Sequence, residues 1–231
     1  MQRRMITTGL TCLAALCALP TWTAAHAADI NEGDAALGVR AALERGAAAA
    51  VTLLGRSGGF LDNPKVRIPL PGFLNDVAKL ARFTGQQGRV DELVTAMNRA
   101  AEAAVPEARA LLTSAIKTMS VQEGRKILMG GDNSVTEFFA SKTRAALTVK
   151  FLPIVAEATE KVSLAEKYNA LAGKAASAGL LQKDDANIQQ YVTGKALDGL
   201  YLMIAEEERK IRRDPVGTGS AILSKVFGTL K

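Results

Sequence analysis

Cysteine, histidine and tryptophan are nearly missing from this chain of 231 residues, which has two, one and one of them. All four, Cys12, Cys17, Trp22 and His26, lie before position 28. That stretch has the layout of a secretory signal peptide. Arg3 and Arg4 form a basic n-region, residues 6–19 a short apolar run, and Ala25-His26-Ala27 an A-x-A cleavage site. The run falls below the ~18 residues of a spanning helix, which argues against a retained anchor. Leu16 directly before Cys17 fits a lipidation site badly. Cleavage after Ala27 is expected, with a signal peptide over 1–27, a single helical domain over 28–231, and a periplasmic or otherwise exported mature protein.

The expected mature chain therefore lacks cysteine, histidine and tryptophan altogether. It can form no disulfide, no Ser-His-Asp triad, no cysteine nucleophile and no Cys/His zinc site. Neither GxxxxGKS/T nor GxGxxG occurs, which removes those phosphate cradles. Gly130-Gly131-Asp132-Asn133 and Asp184-Asp185-Ala186-Asn187 do not extend to a calcium loop and read as caps or turns. No metal, no cofactor and no assignable catalytic residue is expected. Removing Arg3 and Arg4 from the 29 basic residues leaves 27 against 23 acidic ones, a net +4. That modest excess suits anionic surfaces such as lipid head groups or cell-wall polymers. It is diffuse and without an aromatic-interleaved basic stripe, so nucleic acid is not an expected partner.

What is present is helical periodicity. The organising stretch is Ile188–Arg213, with Leu197, Leu200, Tyr201, Ile204 and Ile211 on one side and Val192, Ala196 and Met203 widening it. A helix apolar on most sides is buried on most sides, so this one is expected at the centre, its last two turns leaving the core. Glu206 with Lys210 and Glu208 with Arg212 stand in the acid-first i, i+4 order, and Asp214-Pro215 ends the helix. Serines followed three residues later by glutamate, Ser120/Glu123, Ser134/Glu137 and Ser163/Glu166, predict three capping boxes. Phe151-Leu152-Pro153 predicts a kink or break. The expected fold is all-α: a single-domain bundle of about nine helices around a central C-terminal helix, with one short extended proline-rich segment.

That segment is residues 60–74. Pro64, Pro69 and Pro71 exclude a regular helix, and Val66, Ile68 and Leu70 alternate with Lys65, Arg67 and Pro69. It reads as an edge strand, a packed connector, or a stiffened binding lip. Asp198 interrupts a buried-looking run, so it is either a structural acid paired with Lys195 or a neighbouring helix's cation, or a functional carboxyl shifted by burial. Asn98 and Arg99 lie on an otherwise apolar helix and read as a core asparagine and a solvated arginine, or as binding groups. Glu206 to Glu208 read as a solvated helix face. The candidate ligand-binding set is Asn63, Lys65, Arg67, Asn98, Arg99 and Asp198.

Several pieces resemble one family: Gly59-Phe60-Leu61 with Asn63-Pro64-Lys65-Val66 and Ile68-Pro69-Leu70-Pro71; Met97-Asn98-Arg99-Ala100-Ala101-Glu102 with Val105-Pro106-Glu107-Ala108; Lys150-Phe151-Leu152-Pro153; and Lys195-Ala196-Leu197-Asp198-Gly199-Leu200 with Ile204-Ala205-Glu206-Glu207-Glu208. They are similar to the bacterial family known as domain of unknown function 4197, over nearly the whole mature chain. The resemblance implies an exported helical protein and carries over no catalytic residue. The reading expected from residues and resemblance together is a non-enzymatic cell-envelope protein that binds an amphiphilic or anionic ligand or a partner. Envelope lipid, cell-wall polymer and protein are the candidate partners. The alternatives are a structural or assembly factor of the envelope and a carboxylate-dependent hydrolase, for which no spacing singles out a second acid beside Asp198.

Overall fold

Among the described residues every regular element is a helix and there is no strand, in keeping with the dominant 3.6-residue periodicity. The computed structural model describes residues 32–72, 85, 87–131, 133–160, 165, 166, 168, 169, 187–214, 216, 217, 220, 221 and 224. The signal-peptide stretch, the helices expected over 73–84, 164–178 and 218–227, and the Ser163 capping box lie wholly or partly outside them. The elements are α1 (Glu32–Leu54), α2 (Gln87–Ala104), a 3-10 turn (Val105–Glu107), α3 (Ala108–Lys117), α4 (Val121–Met129), α5 (Ser134–Glu160) and α6 (Ile188–Arg213). None of them is long and apolar enough to cross a membrane.

Local chemistry sets the boundaries. Asn187 caps α6, its side-chain oxygen accepting from the N–H groups of Gln189 at 2.8 Å and Gln190 at 3.2 Å. Ser120 and Glu123 form the expected reciprocal capping box on α4. Ser134 does not form one. It is the first residue of α5, its hydroxyl donates back to the Ile127 carbonyl, and Glu137 N–H donates to the Asn133 carbonyl instead. Pro153 does not break its helix either: α5 runs through it. Proline there removes the bond to the Val149 carbonyl, and both residues face solvent, so the freed carbonyl is open to water.

α6 packs lengthwise against α1 and α5 and, over a shorter stretch, against α2. Its buried side includes Leu197, Leu200, Tyr201, Ile204 and Ile211. Thr143 on α5 and Tyr201 share a buried hydrogen bond of 2.9 Å, so the tyrosine's polar end is satisfied inside the core. α1 reaches α6 closely at Gly46, where a side chain would meet Glu207 Cβ and the Ile204 carbonyl at 3.4 Å.

The charged end of α6 does not leave the core as its composition suggests. Glu208 is 4% exposed and Ile211 7%. Arg212 pairs with Glu208 and also donates to the carbonyls of Ile127 at 2.7 Å and Leu128 at 2.8 Å. Those carbonyls belong to the last turn of α4, where Ile127 also accepts from Gly130 N–H and the Ser134 hydroxyl, so one guanidinium neutralises a buried acid and adds to the capping of a neighbouring helix. Glu206 pairs with Lys65 rather than Lys210, which goes to Glu207.

Candidate ligand-binding groove

The proline-rich loop is held from one side by α2. Asn98 and Glu102 are four residues apart, hence on one helix face, and are 0% and 4% exposed. Ile68 N–H donates to Asn98 Oδ1 at 2.8 Å, while Asn98 Nδ2 donates to the Ile68 carbonyl at 2.9 Å. The amide thus supplies the two bonds that a neighbouring strand would have given, and the segment needs no sheet. One turn on, Glu102 Oε1 accepts from the N–H groups of Phe60 at 3.0 Å and Leu61 at 3.1 Å. Its other oxygen accepts from Arg99 at 2.6 Å, and Arg99 also donates to Ser57 Oγ at 2.8 Å.

Burial pushes the Glu102 carboxyl up, but the bonds from Leu61, Arg99, Phe60 and Gly58 together outweigh it and hold it below the ordinary 4.5. Glu123 is held down to about 2, chiefly by the Lys142 ammonium and then by the Ser120 N–H. A carboxyl whose folded pKa lies below its unfolded one stabilises the fold above the unfolded value and loses that contribution as pH falls through the folded value. Stability in urea is expected to decline below about pH 4.5, and Glu102→Gln should remove part of the decline. A wild-type urea midpoint that stays level from about pH 5 to about pH 2.5 contradicts this.

On the other side the loop lies on α6. A side chain at Gly199 would meet Phe60 Cε1 at 3.0 Å and Val66 Cβ at 3.2 Å, so the glycine is the seat of the loop's apolar residues. Tyr191 donates its hydroxyl to the Pro69 carbonyl at 3.1 Å. Lys65 Nζ donates to both oxygens of Glu206 at 2.8 Å. Val66 and Ile68 are buried, whereas Lys65, Arg67 and Pro69 are exposed.

Between residues 65–69 and one face of α6, formed by Tyr191, Lys195, Asp198, Gly199 and Leu202, runs an open groove of about 270 Å³. Lys65, Arg67 and Asp198 of the candidate set meet there. Asn98 does not line it; it is the prop behind the wall. Arg99 faces Ser57 and Glu102 rather than the groove. Asn63 shapes the turn, its side-chain oxygen accepting from Lys65 N–H at 3.2 Å. Asp198 is not the buried acid its neighbours suggest. Its side chain is 54% exposed and pairs with Arg144 of α5 at 2.6 Å, because it falls on the groove face of α6 rather than the core face. Three groove residues, Tyr191, Gly199 and Leu202, and the prop Glu102 are not marked out by the sequence pattern as site residues. The signal for Glu102 is its i, i+4 spacing from Asn98.

The charges divide unevenly. Glu206 matches Lys65, and Arg144 matches Asp198. Arg67 has no hydrogen bond or ion pair among the described residues, and Lys195 has only the Tyr191 ring, 5.8 Å from its ammonium. A larger cavity of about 330 Å³ lies between α1 and α3 over Ala47, Val51, Leu112 and Ile116. It is a cleft between two packed helices and contains none of the loop's chemistry. Among the described residues no group of three or more acids could hold a metal ion.

Among the described residues these features define an all-helical protein in which a proline-rich loop, propped by a buried amide and a buried carboxylate, walls a small cationic groove. The profile of the family described as protein of unknown function (DUF4197) matches residues 29–228, and the chain belongs to that family. No curated protein and no solved structure matches the chain.

Proposed function

We propose that this is an exported, non-enzymatic cell-envelope protein that binds an anionic or amphiphilic ligand in the groove between residues 65–69 and α6. In this reading residues 1–27 are removed as a signal peptide. Residues 28–231 form one domain of about nine helices around α6, with 60–74 as its short extended proline-rich segment. The observation that carries the reading is the pair Arg67 and Lys195, two cations at one groove without a carboxylate partner among the described residues. Binding is favoured over turnover because the groove's acid and the two acids beside it are engaged elsewhere: Asp198 by Arg144, Glu206 by Lys65, and Glu102 by backbone N–H groups and Arg99, while the loop's own exposed Asp62 does not line the groove. A loop stiffened by prolines and held by side chains from α2 loses little freedom when a ligand arrives.

The test is the double reversal Lys65→Glu with Arg67→Glu, in protein purified from the cell envelope. Lipids, polymer fragments and proteins that co-purify are compared with wild type by mass spectrometry. Material present on wild type and absent from the folded double variant is expected. Equal retention on both would make the loop a connector and end this reading. The same sample gives the intact mass, which should begin at Ala28.

A further inference from the structure

Resting on the groove assignment above, we infer that its ligand is a phosphomonoester carried on an apolar chain. The headgroup lies between Arg67 and Lys195, and the chain runs against Leu202. After the internal pairs Lys65–Glu206 and Arg144–Asp198 are set aside, two positive charges remain at the groove. A phosphomonoester carries about −1.5 to −2 at neutral pH, so it matches that residue of charge, whereas a phosphodiester or a carboxylate supplies only one negative charge. The donor types fit as well. A guanidinium fork meets two phosphate oxygens at once, and an ammonium completes the contact as a point charge. The Tyr191 ring holds the Lys195 ammonium by its face, which uses the charge and leaves the N–H donors for a ligand.

Size and polarity decide the rest. Clefts that enclose a whole drug-sized ligand run to about 300–1,000 Å³. At about 270 Å³ this groove takes a headgroup and leaves the remainder of an amphiphile outside. Leu202 lines the same groove at 37% exposed, an apolar residue placed where a chain leaving the headgroup would lie. The geometry is fixed before binding: Tyr191 ties Pro69 to α6, and Asn98 ties Ile68 to α2. The two elements carrying Arg67 and Lys195 are thus held in place, and an anion need not organise them.

The experiment is calorimetric titration of the purified protein with four probes: dihexanoyl phosphatidic acid, dihexanoyl phosphatidylglycerol, hexanoate and glycerol 3-phosphate. The phosphatidic acid is expected to bind at least about tenfold more tightly than each of the others. Arg67→Ala and Lys195→Ala should each weaken it about tenfold while leaving the urea midpoint unchanged, since both side chains are exposed. Equal affinity for the monoester and the diester overturns the phosphomonoester while the anionic-ligand reading stands. Equal affinity for glycerol 3-phosphate removes the apolar chain and assigns a soluble phosphate ester instead. Binding indifferent to both substitutions places the ligand elsewhere. If no probe binds, the inference fails with the wider reading of the groove.

Discussion

Glu102→Ala is expected to lower stability by about 2–4 kcal/mol, at neutral pH, in equilibrium urea unfolding. The side chain is 5% exposed, so the fold has already removed its carboxylate from water. Two backbone donors, Phe60 and Leu61 N–H, depend on one of its oxygens. Each buried donor left without an acceptor costs about 1–3 kcal/mol, and Leu61, being half-buried, recovers part of that from water. The exposed part of Arg99 limits what its own lost partner adds. Glu102→Gln separates the terms. It keeps an oxygen for the two N–H groups, gives up the charge facing Arg99, and should cost about 1 kcal/mol. The alanine variant should also loosen the start of the loop, because Phe60 and Leu61 then lose their hydrogen bonds to α2. Faster hydrogen exchange at Phe60 and Leu61 than in wild type is the corresponding local signal. A loss below about 0.5 kcal/mol would show that the carboxylate does not hold the loop.

The parts of the molecule legible in the sequence are those governed by local rules. The Asp214-Pro215 stop and the Ser120 box depend on neighbours within three residues, and each stands where the residue types put it. The apolar side of α6 needed only periodicity. What escaped depends on partners distant in the chain. Glu208 reads as one of three solvated acids, yet Arg212 and the α4 carbonyls, 84 and 85 positions from that arginine, make its burial affordable. Asp198 reads as an acid in an apolar run, but the run belongs to two faces and the acid to the outer one. Asn98 and Glu102 are visible as polar residues on an apolar face; that their partner is the backbone of residues 60–68 is a tertiary fact. The candidate set accordingly mixed three groove residues with one prop, one turn former and one cation of the prop's network.

Leu200→Ala is expected to cost about 2–5 kcal/mol, as truncations of fully buried leucine do, and Leu202→Ala no more than about 1.5 kcal/mol. The two leucines lie two positions apart on α6, which turns them about 200° from one another, so they report on opposite faces of one helix. Leu200 is 0% exposed within the cluster that joins α6 to the rest of the bundle. Its loss leaves a cavity that close-packed neighbours fill only in part, and that cavity sets the upper end of the range. Leu202 is 37% exposed and borders the groove, so its truncation removes less buried area than that of Leu200 and leaves no closed cavity. Ligand binding should respond the other way round. Leu202→Ala weakens the hold on an amphiphile's apolar part, whereas Leu200→Ala at a temperature where it remains folded leaves the groove residues in place. Paired urea unfolding and titration of both variants tests the assignment of faces. A stability loss below about 0.5 kcal/mol for Leu200→Ala would remove α6 from the centre of the fold. Unaltered amphiphile binding by Leu202→Ala would leave the groove with its cations and without an apolar contact. The asymmetry follows from one helix having two duties: its inner face closes the core, and its outer face, facing a loop seated on Gly199, forms a wall of the groove.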